Sequence, residues 1–384
     1  MIELETRVVE VFSDYFKNDP EWIVRSPGRV NIIGEHTDYN DGFVLPMTID
    51  RGIYIAGISN NSDRVECYSI DYEMHESFTL EEISQLKSNK AKWFDYIKGM
   101  IWALNSAGYP LAGWSGVIAG NIPIGAGLSS SAALELAIAR TCQTVSKFTW
   151  NETKMALLGQ RAENEWVGVQ CGIMDQMISA RGLRDHALLL DCRSLEGKLV
   201  SLPCNFSMVI LDTGTRRGLV DSVYNQRRAQ CENAASAFQV RALRDVDLAD
   251  LLNKKSILDP VTFRRAKHVV SENARTLKAA SAMERGNAKE LGELMNESHI
   301  SLRENFDVSS IALNEMVECA QRQSGCMGAR MTGAGFGGCA VALVENKHLE
   351  DFSKRTADDY RGSTGNDPEV YVCNATNGAE CLPH

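Results

Sequence analysis

The densest chemistry in this 384-residue chain lies in one segment, Ser26-Pro-Gly-Arg-Val-Asn-Ile-Ile-Gly-Glu-His-Thr-Asp-Tyr-Asn40. It gathers an arginine, two carboxylates, a histidine and two asparagines. Carboxylates accept hydrogen bonds, and amides and imidazoles both donate and accept, so these are the groups that read the hydroxyls of a sugar. Its many turn formers argue against a regular element and leave a solvated loop as the plainer reading. A metal pair at His36-x-Asp38 lacks a second His-rich segment to complete it. A second segment, Ile122-Pro-Ile-Gly-Ala-Gly-Leu-Ser-Ser-Ser-Ala-Ala-Leu-Glu135, follows a strand and feeds a helix. Gly125 and Gly127 allow close backbone approach, the first helical turn offers free N–H groups, and Ser129, Ser130 and Ser131 add hydroxyls. A polyphosphate needs this set. A serine N-cap after a left-handed turn would leave a similar pattern. No Gly-Lys-Ser/Thr follows, so this is not the common P-loop and a lysine is not the main phosphate counter-charge.

Asp175 stands in Gln170-Cys-Gly-Ile-Met-Asp-Gln176, with Met177 and Ile178 beyond. A carboxylate in so apolar a stretch is partly buried, and is then paired or has its pKa raised; capping a helix is the alternative. Glu163 lies on the helical run Glu152 to Trp166, where an isolated glutamate is ordinarily solvated. Gly333-Ala-Gly-Phe-Gly-Gly338 satisfies G-x-G-x-x-G literally, but Cys339-Ala-Val-Ala-Leu-Val344 continues as a strand where a dinucleotide fingerprint opens a helix. That leaves a tight glycine turn against the nucleotide site or the other glycine loop, or a purely structural hairpin.

These segments need elements to hold them. Leu4, Val8, Val11, Phe12, Tyr15 and Phe16 share one helical face, ended by Asp19-Pro20. Trp22 to Val24 leads into the turn-rich stretch Ser26 to Gly42, and Phe43 to Ile58 reads as strands around a hairpin at Asp50-Arg51-Gly52. Trp93, Tyr96, Ile97, Met100, Ile101 and Leu104 form a second helical face, closed by Gly108 and Pro110. A strand from Gly116 to Ala119 precedes the first glycine loop, and a long helix starts at about Ser130. Met208 to Leu211 opens a half with helical patterns at 217–238, 262–285, 287–304 and 309–323. A strand–glycine–strand unit from Cys326 to Val344, a helix and the strand Glu369 to Cys373 complete it. Strands and helices mix without regular alternation, so the class is α+β. The change in helix content puts a division near residue 200, giving domains 1–200 and 201–384.

Acidic residues outnumber basic ones, 50 to 40, for a net charge of −10. A nucleic-acid or anionic-membrane binder would want a basic face. No stretch is long and apolar enough to span a bilayer, and acidic residues interrupt the N-terminal apolar positions, unlike a signal peptide. The 11 cysteines form no CxxC pair or zinc spacing and the 7 histidines are dispersed, so a transition-metal centre is not expected. Reduced thiols fit a cytoplasmic enzyme.

On its motifs the sequence resembles the galactokinases, of the GHMP small-molecule kinase superfamily. Pro27 to Gly42 is similar to the galactokinase signature, Ile122 to Ala132 to the superfamily's phosphate loop, and Arg330 to Gly338 to its third motif. Cys171 to Gln176, Asp185 to Ser194 and Tyr224-Asn-Gln-Arg-Arg228 are also galactokinase-like. The resemblance implies a two-lobed α+β fold, with an N-terminal lobe like ribosomal S5 domain 2 and a ferredoxin-like C-terminal lobe. It implies Asp175 and Arg29 as the catalytic pair, and Glu35, His36, Thr37, Asp38, Gly172, Asp175 and Tyr224 as sugar contacts. ATP would be held by Gly125, Ala126, Gly127, Leu128, Ser129, Ser130 and Ser131, with Trp93 and Tyr96 at the adenine and Ser69 as a further contact. Mg²⁺ would lie between Ser131 and Glu163. The implied reaction is ATP-dependent phosphorylation of the C1 hydroxyl of α-D-galactose, giving galactose 1-phosphate and ADP. That is the first committed step of galactose use by the Leloir pathway, in a monomer with galactose and ATP as its partners and no nucleic acid or membrane. Three positions depart from the pattern: Ser26 for alanine, Ala334 for glycine, and Asp212-Thr-Gly-Thr-Arg-Arg217 for an Asn-Ser/Thr-Asn segment. The rival readings are a non-catalytic sugar sensor, which would have lost the phosphate loop or the base, and a related kinase for N-acetylgalactosamine or mevalonate.

Overall fold

The computed structural model describes residues 2–85, 87, 93–123, 125–216 and 220–383. The chain runs from α1 (Ile2–Phe16) through β1 (Trp22–Asn31), β2 (Phe43–Val44), β3 (Pro46–Ser59), β4 (Arg64–Ser69) and β5 (Met74–Thr79) to α2 (Trp93–Ser106) and β6 (Trp114–Gly120). Helices α3 (Ser130–Ser146), α4 (Glu152–Arg161) and α5 (Met174–Arg181) follow, then β7 (His186–Asp191), β8 (Gly197–Ser201) and β9 (Phe206–Asp212). A helical block holds α6 (Val220–Ala237), α7 (Leu248–Asn253), α8 (Pro260–Glu284), α9 (Ala288–Ser301) and α10 (Ile311–Gln321). The chain closes with β10 (Cys326–Met331), β11 (Cys339–Glu345), α11 (Leu349–Thr364), β12 (Glu369–Cys373) and β13 (Glu380–Leu382).

The first sheet has the order β13-β1-β3-β6-β4-β5, antiparallel except for the β4–β6 pair. Its strands alternate between two apolar faces, as the period of two requires. Ile23, Tyr54, Ala56 and Val117 meet Val8 and Phe12 of α1, while Val24, Ile55 and Ile118 meet α2, α3 and α5. Burying one such large side chain is worth roughly 1.5–3 kcal/mol, so two covered faces fix the register firmly. A second sheet, β10-β11-β9-β12, sits beyond. Its strands follow the chain as strand–helices–strand–strand–helix–strand, which is the ferredoxin-like order. Val209 and Leu211 face α10 and α11, whereas Met208 and Ile210 face a core that also contains Ile32, Ile33, Leu45 and Met47 from the first half. A small sheet, β2-β7-β8, lies between.

Two sequence expectations are corrected. The stretch from Ser26 is not all loop, because β1 continues to Asn31 with every residue buried. Pro27 cannot donate to the ladder, and a bulge between Pro27 and Arg29 absorbs it. Nor is there a hairpin at Asp50-Arg51-Gly52, since β3 runs straight through. Gly52 is there for close approach, since a Cβ would press on the Ser26 carbonyl. A cut near residue 200 also leaves β13 on the sheet of the first half, where it pairs with β1. No helix among the described residues is long and apolar enough to cross a membrane.

Candidate active site

Between the two large sheets lies a cleft of about 880 Å³. At its centre, Arg29 at the end of β1 grips Asp175 in the first turn of α5. Nε donates to Oδ1 at 2.8 Å and Nη2 to Oδ2 at 2.7 Å, while Nη1 donates to the Gly127 carbonyl at 2.6 Å. The Ser129 hydroxyl donates to Asp175 Oδ2 as well. A forked, charge-assisted pair of this kind fixes both position and orientation. Ser179, one turn further along α5, donates to the Pro27 carbonyl at 3.0 Å and ties the helix to the strand that carries Arg29.

One side of the cleft is built from the loop after β1. Glu35, His36 and Asp38 line it, with Gly172 and Tyr224 beside them. His36 pairs through Nδ1 with the Tyr39 hydroxyl at 2.9 Å and packs against Phe306 and Tyr224. Its Nε2 is buried, near the Ala334 backbone, and has no well-formed hydrogen bond among the described residues. Burial and the nearby His268 hold its pKa well below the usual value, so the ring is neutral. Burial and the neighbouring Asp175 push Asp38 up to about 7. Gly172 is packed so closely on the Asp38 carboxylate that a Cβ would collide with it. Glu35 Oε1 accepts from Gly333 N at 2.7 Å, Thr332 Oγ1 at 3.1 Å and Arg330 Nη1 at 3.4 Å. The second glycine motif thus braces this loop rather than the phosphate loop. Thr37 is turned away from the cleft, its hydroxyl shared between the Gly34 and Phe43 carbonyls.

The other side is the loop before α3. Gly125, Gly127, Leu128, Ser129, Ser130 and Ser131 line the cleft, and Ala126 is buried behind them; Ile124 lies outside the described residues. Ser129 is the residue before α3 but does not cap it: its φ is +61° and its hydroxyl goes to Asp175. The serine cap, the alternative to a phosphate loop, is absent, and no described side chain caps the first helix N–H groups, which suits an anion there. Glu163 reaches the cleft from a π-helical turn, Ala162–Val167, that continues α4. The Ser131 hydroxyl lies near it, and Gln176 Nε2 bridges Glu163 at 2.7 Å and the buried Glu135 at 3.0 Å. Burial and Asp175 push Glu163 up to about 7, and burial and Glu163 raise Glu135 well above its usual value. Ser131 and Glu163 offer oxygens, the ligands a hard divalent cation takes, although no cluster of three or more acidic, histidine or cysteine side chains is arranged for a metal among the described residues.

Sequence reasoning missed Glu135, Gln176 and, above all, Arg216. The Arg216 side chain lines the cleft beside Gly125, held by Asp212 Oδ1 at 2.7 Å. With Arg29 it is one of two cationic side chains among the described lining residues. It belongs to the departing segment Asp212–Arg217, whose last residue lies outside the described residues. On the remaining side, Tyr96 lines the cleft, whereas Trp93 stacks on Tyr72 at 5.4 Å and Ser69 Oγ accepts from Tyr72 N at 3.4 Å. Trp93 and Ser69, expected at the nucleotide, are thus not among the described residues that line the cleft; each packs on Tyr72 instead.

The comparisons with known proteins agree with this architecture. Residues 95–183 match the GHMP kinases N terminal domain and residues 279–356 the GHMP kinases C terminal domain. Mevalonate kinase from Methanococcus jannaschii has the same fold at 19% identity, with a TM-score of 0.66 over 92% of this chain and 98% of that one. The chain is a GHMP kinase. Residues 10–58 match the galactokinase galactose-binding signature. A curated galactokinase from Roseiflexus sp. (strain RS-1) is 46% identical over 374 residues, covering 96% of this chain and 95% of that protein. The crystal structure of Lactococcus lactis galactokinase complexed with galactose superposes with a TM-score of 0.94 at 35% identity, covering 99% of this chain and 100% of that one. Within the GHMP kinases, the chain belongs to the galactokinase family.

Proposed function

We propose that the protein transfers the γ-phosphoryl group of ATP to the C1 hydroxyl of α-D-galactose, giving galactose 1-phosphate and ADP, the first committed step of the Leloir pathway. The observation that carries this reading is the Arg29–Asp175–Ser129 unit, which joins a wall of sugar-reading groups to a glycine–serine phosphate loop. Asp175 accepts the C1 proton as the oxygen attacks, and Arg29 orients Asp175 and offsets charge on the transferring group. Glu35, His36, Asp38, Gly172 and Tyr224 hold the sugar. His36 Nε2, otherwise without a well-formed hydrogen bond among the described residues, meets one of its hydroxyls. The 125–131 loop and the N-terminus of α3 bind the phosphates, and Arg216 supplies the cation that a lysine would supply in a common P-loop. Ser131 and Glu163 would hold Mg²⁺, which when bound offsets phosphate charge. Tyr96 flanks the adenine, with Trp93, Tyr72 and Ser69 behind it. Residues 1–200 then serve mainly as the lobe that binds both substrates and 201–384 as the lobe that closes over them. We place the enzyme in the cytoplasm as a monomer.

The test is a coupled ADP-release assay over galactose, glucose, N-acetylgalactosamine and mevalonate. Ionised, Asp38 can accept but not donate, so an inverted hydroxyl leaves its carboxylate unpaired at a cost of ~1–3 kcal/mol, and Glu35 beside it imposes the same polarity. Galactose is expected to lead in kcat/KM; equality with glucose, its C4 epimer, would sink the reading.

A further inference from the structure

The loop that reads the sugar is held in a conformation it would not adopt alone. Gly34, His36 and Asp41 have φ of +95°, +62° and +56°, in the left-handed region. For the two non-glycine residues this is strained, and it persists only where the surroundings over-determine it. Part of the restraint is local, from Thr37 and from Asn40, whose amide donates to the His36 carbonyl at 2.9 Å. The rest comes from α8, more than 200 residues away in sequence.

We propose that His268, Glu272 and Asn273 of α8 are positioning residues that set affinity for the sugar by holding this backbone; the proposal rests on the reading that Glu35, His36 and Asp38 bind the sugar. Glu272 Oε1 accepts from Gly34 N at 3.1 Å, His268 Nε2 donates to the Glu35 carbonyl at 3.1 Å, and Asn273 Oδ1 accepts from Phe43 N at 3.0 Å. The three bonds bracket the reading residues on both sides. They are anchored from behind: Ser298 Oγ donates to Glu272 Oε1 at 2.6 Å, Arg275 Nε to Oε2 at 2.8 Å, and the Ser301 hydroxyl pairs with His268 Nδ1 at 3.0 Å. Burial would raise the pKa of Glu272, but Arg275, His268 and Arg330 hold it down to about 2, so the acceptor stays charged. Gly34 has no room for a side chain, since a Cβ would lie 2.9 Å from Thr276 Oγ1 on the same helix face. None of the three α8 residues lines the cleft among the described residues, so they act only through the loop.

Calorimetric titration of galactose and of ATP separately, together with kcat and KM, tests this on Glu272→Ala, Glu272→Gln, Asn273→Ala and Asp38→Asn. Glu272→Ala leaves a buried N–H unpaired, and its galactose Kd and KM are expected to rise about tenfold. The kcat at saturating galactose and the Kd for ATP stay within about threefold of the parent. Glu272→Gln recovers part of the loss, because its amide oxygen still accepts from Gly34. Asn273→Ala loses one bond at the end of the loop and is expected to raise galactose KM about threefold; it carries the test if Glu272→Ala does not fold. A lower melting temperature with unchanged galactose affinity, or parallel losses for galactose and ATP, makes the helix merely structural and overturns the proposal. Asp38→Asn separates the two failures. If it binds galactose like the parent, the sugar reading itself falls; if it loses galactose while the α8 variants bind normally, only the positioning role falls.

Discussion

Asp175 receives hydrogen bonds from Arg29 Nε, Arg29 Nη2 and Ser129 Oγ, which leaves little freedom for its carboxylate to move. Asp175→Asn nearly preserves shape but removes the proposed proton acceptor, so kcat is expected to fall ~10²–10⁴-fold with the fold and ATP binding retained. A folded Asp175→Asn working within a few-fold of the parent would make Asp175 structural. Arg29→Lys is expected to be nearly as damaging, because an ammonium cannot grip two carboxylate oxygens and the Gly127 carbonyl together. Asp38 makes a pH prediction. Its folded pKa, about 7, is raised from 3.8 by burial and Asp175. Its contribution to stability is therefore present below its unfolded pKa and lost as pH rises through about 7. As an acceptor for a sugar hydroxyl it must be ionised. Galactose affinity is thus expected to strengthen from pH 6 to 8, with proton release on binding near pH 6.5. Titration in buffers of different ionisation enthalpy measures that release, and its absence would remove Asp38 from the set that titrates on binding.

Among the elements, the glycine turn between β10 and β11 has the least obvious task. Its backbone meets Glu35 through Gly333, the Val308 carbonyl through Phe336 at 2.7 Å, and the Thr215 carbonyl through Gly338 at 3.1 Å. It is a strut under the sugar loop, the turn after α9 and the segment that carries Arg216. Gly335 has a φ of +83° and abuts the Val308 carbonyl. Gly335→Ala is expected to cost about 2–4 kcal/mol, read as a lower urea midpoint at unchanged m-value. Ser131→Ala, by contrast, is expected to leave stability and galactose binding alone and to weaken use of Mg²⁺-ATP, measurable as a raised KM for ATP. Much of this scale was legible in the sequence. Helices α1 and α2 announced themselves by periodic apolar faces and by the breakers that bound them, and α3 by the glycine–serine loop before it. The hairpin expected at Asp50-Arg51-Gly52 was wrong because Gly52 answers to a neighbouring strand, which no local pattern records. The short strands β4, β5 and β13 lacked a pattern strong enough to stand out, being specified by their partners. For the same reason the α8 residues behind Gly34 were invisible: their role depends on a contact between distant stretches of chain.

At the scale of the whole molecule, the two halves are joined by a core in which Ile32, Ile33 and Leu45 touch Met208, Ile210 and Leu291. They are joined again where residues 374–382 cross back to the first sheet. There Thr376 exchanges hydrogen bonds with Thr48, Gly378 N and Ala379 N donate to the Gly182 and Ser179 carbonyls at 2.8 Å, and Glu380 pairs with Arg25 at 3.1 Å. This strap braces the end of α5 whose other end carries Asp175. Truncation before Gly378 is expected to cost about 2–4 kcal/mol and to lower kcat beyond what the loss of folded protein explains, checked by active-site titration against total protein. The same strap has a consequence during biosynthesis. The outer edge of β1 pairs with residues 380–382, which are translated long after Asn31. At about 5–20 residues per second the gap is roughly 20–70 s. For that interval the nascent chain on the ribosome carries an apolar strand with an open edge, the kind that templates pairing with other chains. Slower translation of the second half prolongs that exposure.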